Sequence, residues 1–233
     1  MKPRLNDAVV NAGCLLFFAR STPVDRRNDL LDSLLYLQLA ATRKHERFSD
    51  FSSWKEVWLT AALRFGWTLN ASEHLSERLS SSQHESVWSI CTAALRPLFD
   101  ADVIEDAERQ VRTSAQDKAL NLLASQALQI RAKEHSPGQA TVTLQLGLID
   151  PQGTLSLAVL HLVTWQPLHS DFLFEPLEAG HLSGNLELTV YSMHLSEQAS
   201  APFRDPLSTA LADKRPMLIR PLGDSGISDG ENQ

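Results

Sequence analysis

Gln139–Trp165 reads QATVTLQLGLIDPQGTLSLAVLHLVTW, and its period decides the fold. Val142, Leu144, Leu146 and Leu148 alternate with Thr141, Thr143 and Gln145. Successive strand side chains point to opposite faces, so this is an antiparallel strand with one apolar and one solvated face. Asp150-Pro151-Gln152-Gly153 is a turn signal, and Leu155, Leu157 and Val159 resume the alternation. From Leu160 both faces become apolar, with Leu160 and Leu162 on one and Val163 and Trp165 on the other. The second strand is therefore central, with its second face covered from that point onward, and Pro167 ends it.

Working outward, the pattern continues as a meander. Leu128–Lys133 alternates before His135-Ser136-Pro137-Gly138 turns the chain, and Asn185–Leu195 alternates clearly. Asp171–Phe174 is a short-strand candidate. Asp205-Pro206 places a cap and then a proline at the first helical position, which opens a short helix through Ala212.

The first half keeps a helical period. Leu30, Leu34, Leu37 and Ala41 share one face of a helix from Asp25 to about Glu46. Trp54, Val57, Trp58, Ala61, Ala62 and Phe65 form the stripe of a second helix, which Gly66 ends in the left-handed conformation. A third covers about 83–98, with Val87, Ile90, Cys91, Ala94, Leu95 and Leu98 inward. A fourth, polar helix follows Asp100 through Arg112, and a further helical turn or two reaches Leu123. Ala8–Ala19 is a buried first element, helix or strand, and too short for a membrane span, which needs about 20 apolar residues.

Helices first and strands after define an α+β class: N-terminal amphipathic helices packed on one face of a C-terminal antiparallel β-meander, closed by a short C-terminal helix. One domain spans residues 1–215, helical over 1–126 and sheet over 127–215, with 216–233 a flexible tail. With 43% hydrophobic residues in 233, the chain has ample material for a core.

The formal net charge of −7 argues against nucleic acid as a partner, because phosphate binding needs a basic stripe. The two cysteines make no disulfide scaffold, and the expected location is cytoplasmic. None of the eight histidines has a partner at the i, i+4 spacing of a zinc helix, so no metal and no cofactor is expected. His161 and His194 lie in strands and are the candidates for a shared polar site. Gly223-Asp224-Ser225-Gly226 resembles the glycine-flanked serine motif of trypsin-like proteases. It has none of that family's surroundings, neither the disulfides nor the histidine context, and reads as chance.

The expected function is therefore a non-catalytic protein-binding or accessory module, with a protein partner or self-association at the strand edges and at Leu160, Leu162 and Trp165. The alternatives are a membrane-active or toxin-type protein, through Ala8–Ala19 and the hairpin, and a hydrolase with scattered residues.

Overall fold

A computed structural model describes residues 5–79, 85–114, 117–133 and 136–223. The apolar N-terminal run is neither a helix nor a single strand. It is a hairpin, β1 (Leu5–Asn11) and β2 (Cys14–Ala19), turning at Ala12-Gly13. Two long helices follow, α1 (Val24–Lys44) and α2 (Phe51–Arg64). Gly66 ends the second with φ +93° and leads into β3 (Trp67–Glu77). An added Cβ there would lie 2.8 Å from the Ser200 backbone nitrogen, so the close approach requires glycine as well as the positive φ.

Three helices come next: α3 (Val87–Leu95), α4 (Ala101–Thr113) and α5 (Lys118–Ala127). The strands β4 (Leu128–Lys133), β5 (Ser136–Ile149), β6 (Thr154–Thr164) and β7 (Leu186–Leu195) carry the meander. Short helices α6 (Glu197–Ser200), α7 (Arg204–Leu211) and α8 (Arg215–Leu218) lead to a last strand, β8 (Ile219–Pro221).

All eight strands form one sheet in the order β3-β7-β6-β5-β2-β1-β8, with β4 also pairing β5. Every pairing is antiparallel except β2 with β5. The mixed α/β composition and mostly antiparallel sheet agree with the sequence reading, but the arrangement does not. Helices cover both faces. Leu144, Leu146, Leu160, Leu162 and Leu188 pack under α3, α4 and α5. Leu16, Leu157, Val159 and Met193 pack under α1 and α2. A smaller cluster joins Leu35 to Leu207 and Leu211.

Four local expectations are corrected. Thr141, Thr143 and Gln145 are buried rather than solvated, because α1 and α2 cover that face of the sheet. The fourth helix is amphipathic, burying Val103, Ile104, Ala107 and Val111. Leu98 is 48% exposed because α3 stops at Leu95. Asp171–Phe174 is a turn, tied by a Phe174 N–H donating to the Asp171 carbonyl at 3.0 Å.

The segment expected to be a flexible tail is structured over 216–223. β8 pairs β1, and Leu222 N donates to Ala8 O at 2.7 Å. Residues 224–233, the rest of that tail, lie outside the described residues. Among the described residues no helix is long and apolar enough to cross a membrane.

Candidate interaction site

Beneath α1 and α2 the sheet carries buried polar groups held by one guanidinium. Arg47 is fully buried and donates from Nη1 to Ala12 O at 2.9 Å and from Nη2 to Gly13 O at 3.2 Å and Thr143 O at 2.6 Å. Its charge lies 5.3 Å from the Trp54 ring centroid. Burial pushes its pKa down to about 10, so it remains cationic at neutral pH. Gly13, at φ +81°, leaves room for it: a Cβ there would meet Arg47 Nη1 at 2.5 Å. Gln38 donates to the Gln145 side chain, and Asn11 donates to Leu31 O at 2.9 Å. These contacts partner much of the polar layer on β5, while Asn11 Oδ1, Gln38 Oε1, Arg47 Nε and Gln145 Nε2 are buried without a hydrogen-bond partner.

His161 lies at the margin of this layer. Its Nδ1 and the Thr143 hydroxyl are hydrogen-bonded at 2.9 Å, and its ring stacks on Phe51 at 4.5 Å with planes 7° apart. Burial pushes its pKa down to about 4, helped by the Lys55 and Arg47 charges, so the imidazole is neutral. His194 is elsewhere. His161 pairs with Glu187, and His194 sits seven residues further along β7, roughly 23 Å at strand rise. It also points to the opposite face, since Tyr191, Met193 and Leu195 share the layer of His161. The two histidines form no common site.

Leu160 and Leu162 are 0% and 1% exposed, packed in the layer under α3, α4 and α5. Both-sided apolarity at this point marks the middle of a covered sheet, and these two leucines face no partner surface. Trp165 is half-buried, with its backbone N–H donating to His181 O at 2.9 Å. His45 pairs with Asp50 at 2.7 Å and His181 with Glu178 at 2.8 Å. His84, His135 and the serine of the glycine-flanked motif lie outside the described residues.

His169, Asp171 and Glu175 bring ligand-type atoms within 4.8 Å of one another on the turn after β6. Glu175 Oε1 accepts from the His169 backbone N–H at 3.1 Å, which accounts for the cluster as a loop tie.

The alternation of Trp67–Ala71 predicts a strand leaving α2, but not its continuation to Glu77 at the far side of the sheet. β3 is eleven residues long, stands at the end of the strand order, and pairs only β7 among the described residues. Asn70–Glu77 are all exposed. A register shift between Leu69 and Ala71 divides it. Before the shift Trp67 anchors the strand, buried, with Nε1 donating to the Ser33 hydroxyl at 2.8 Å. Beyond it Ala71–Glu77 runs in unbroken register with β7, over roughly 23 Å at strand rise.

On the α2 side this stretch meets a polar ledge. Ser76, Glu187, His161 and Thr143 stand in one cross-strand row. Thr189 beside them is hydrogen-bonded to His74 Nδ1 at 3.0 Å and accepts from Lys55 Nζ at 3.0 Å. On the other side Glu73, Leu75 and Glu77 oppose Val190, Leu188 and Leu186, and Leu75 is 43% exposed. The signal available in sequence was the polar composition of LNASEHLSE, which is also what a loop looks like. The chain matches no known protein-family model and no curated protein.

Proposed function

We propose that this protein is a non-catalytic binding module that takes an extended segment of a protein partner along β3. The supporting observation is the ladder over Ala71–Glu77, whose outer edge is open among the described residues. An edge strand leaves every second pair of backbone N–H and C=O groups unpaired, and proteins usually blunt such edges with short strands, prolines, bulges or charges. β3 is long, contains no proline, and confines its irregularity to the Leu69–Ala71 end. Added strands gain affinity from main-chain hydrogen bonds and specificity from alternate side chains.

Charge indicates the partner. Glu73 and Glu77 flank Leu75 on one face, and the chain carries a formal −7. The complementary segment is basic–aliphatic–basic on that face. Pairing of two copies centred on Leu75 would oppose Glu73 with Glu77 and is disfavoured.

The test is purification of the protein with its native partner, followed by amide hydrogen exchange of the complex. Slowed exchange over residues 71–77 is expected. A partner that protects another surface, or a strict monomer that nothing accompanies, refutes the reading.

A further inference from the structure

The polar ledge beside β3 holds an amine against the sheet. Lys55 lies one turn after Phe51 on α2, so the two side chains share a helix face, and its Nζ sits 5.2 Å from the Phe51 ring centroid. From there Nζ donates to Thr189 Oγ1 at 3.0 Å. His74 stands directly opposite Thr189 across β3 and β7, and its Nδ1 lies 3.0 Å from the same hydroxyl. An ammonium carries donors only, so the hydroxyl oxygen accepts from Lys55 and its single hydrogen is left for His74 Nδ1. That order puts the ring proton of His74 on Nε2. Groups from α2, β7 and β3 thus form one directed line from an amine to an imidazole. Strand register fixes its last link.

The two ends of the line differ. Thr189 is 4% exposed and Lys55 is half-buried, whereas His74 is exposed. Burial lowers the pKa of Lys55, and the Glu187 carboxylate works against that shift. The other ring on the ledge, His161, is neutral and adds no charge, while Arg47 is a second fixed cation in the same layer. Lys44, Lys118 and Lys214 are all exposed. At neutral pH Lys55 therefore keeps a larger share of free amine than a lysine in water. The proton it gives up has a path to solvent.

We propose that Lys55 is an acyl-acceptor site: it takes an acyl group from an activated donor, a thioester or an acyl phosphate, while Thr189 and His74 carry off its proton. The ammonium passes a proton to Thr189 Oγ1 as the hydroxyl hydrogen moves to His74 Nδ1, and His74 releases one to solvent. The nitrogen lone pair then attacks the carbonyl carbon. The C–N bond forms as the C–S or C–O bond breaks, and the thiolate or phosphate leaves with the electron pair. A second proton goes from the nitrogen to solvent. The product amide is neutral, so the ledge loses the charge that faces Glu187. No partner along β3 is required for this step.

Competitive labelling of the full chain with trace acetic anhydride across the lysine titration range, read residue by residue by mass spectrometry, tests the amine. Lys55 is expected to titrate below Lys44, Lys118 and Lys214. At neutral pH it should also take acetyl from acetyl-coenzyme A or acetyl phosphate about tenfold faster than they do. Reaction with only one of the two donors names the source of the acyl group. His74→Ala, at an exposed position, should remove most of that advantage with an unchanged melting temperature. His74→Gln, which can accept a hydrogen bond but cannot ferry a proton, should behave like His74→Ala. Lys55 reacting no faster than the exposed lysines overturns the proposal and leaves burial as the whole effect of its surroundings. Acylation at the wild-type rate in both His74 variants overturns it too.

Discussion

Acidification should destabilise this protein through His161. Burial, with Lys55 and Arg47 adding repulsion, holds its pKa at about 4 against 6.5 for the free side chain. Between those values the unfolded chain binds a proton that the folded chain does not, so stability falls as pH falls. The contribution is complete above pH 6.5 and lost by about pH 4. A difference of two to three pKa units corresponds to about 3 kcal/mol, or roughly 1.4 kcal/mol per pH unit inside the window.

The assay is urea unfolding in steps from neutral pH to about pH 4.5, comparing wild type with His161→Phe. Phenylalanine keeps the stack on Phe51 and cannot titrate. Whatever His161→Phe costs in absolute stability, its pH slope should be flatter by about 1 kcal/mol per unit. Carboxylates common to both proteins cancel in the difference. Parallel slopes, or an imidazole resonance titrating near its ordinary value in the folded protein, would refute the reasoning.

Arg47→Met should cost about 3–5 kcal/mol by chemical denaturation, because it leaves the carbonyls of Ala12, Gly13 and Thr143 unpaired in the core. Arg47→Lys should recover only part of that loss, since one ammonium cannot reproduce the planar fork. Cys14 and Cys91 are free, and burial raises both thiols, Cys91 to about 12. A thiol-reactive disulfide reagent should label them only at the rate of unfolding; fast labelling in native buffer would contradict their burial. Glu73→Lys with Glu77→Lys should weaken partner binding while changing stability by less than about 0.5 kcal/mol, as exposed substitutions usually do. Equal binding in a pull-down would show that the partner docks elsewhere.

The apolar period carried most of the element assignment. α1 and α2 follow from Leu30, Leu34, Leu37, Trp54 and Trp58, and the turn at Asp150–Gly153 sits where the sequence places it. The layer structure was not legible, for a definite reason. Thr143 and Gln145 look solvated in any alternation rule, and only Arg47, Gln38 and His161 arriving from distant positions make them core residues. Long-range satisfaction of polar groups leaves no local period. Ala8–Ala19 was read as one element because Asn11 breaks the run only weakly, although its side chain pins the strand to α1. The β3 edge and the ledge beside it share the same obscurity: both consist of residue types that surfaces and loops use everywhere.

The parallel pairing of β2 with β5 sets a timetable for synthesis. Cys14–Ala19 leaves the ribosome early, yet its hydrogen-bonding neighbour, Gln145–Ile149, follows about 130 residues later. At about 5–20 residues per second, this greasy hairpin waits on the order of ten seconds with one flank bare. β8, almost the last described segment, completes the other flank through β1. Newborn chains are thus vulnerable to clumping until β5 and then β8 have emerged, and yield in cells should respond to elongation speed and chaperone supply more than equilibrium stability would suggest.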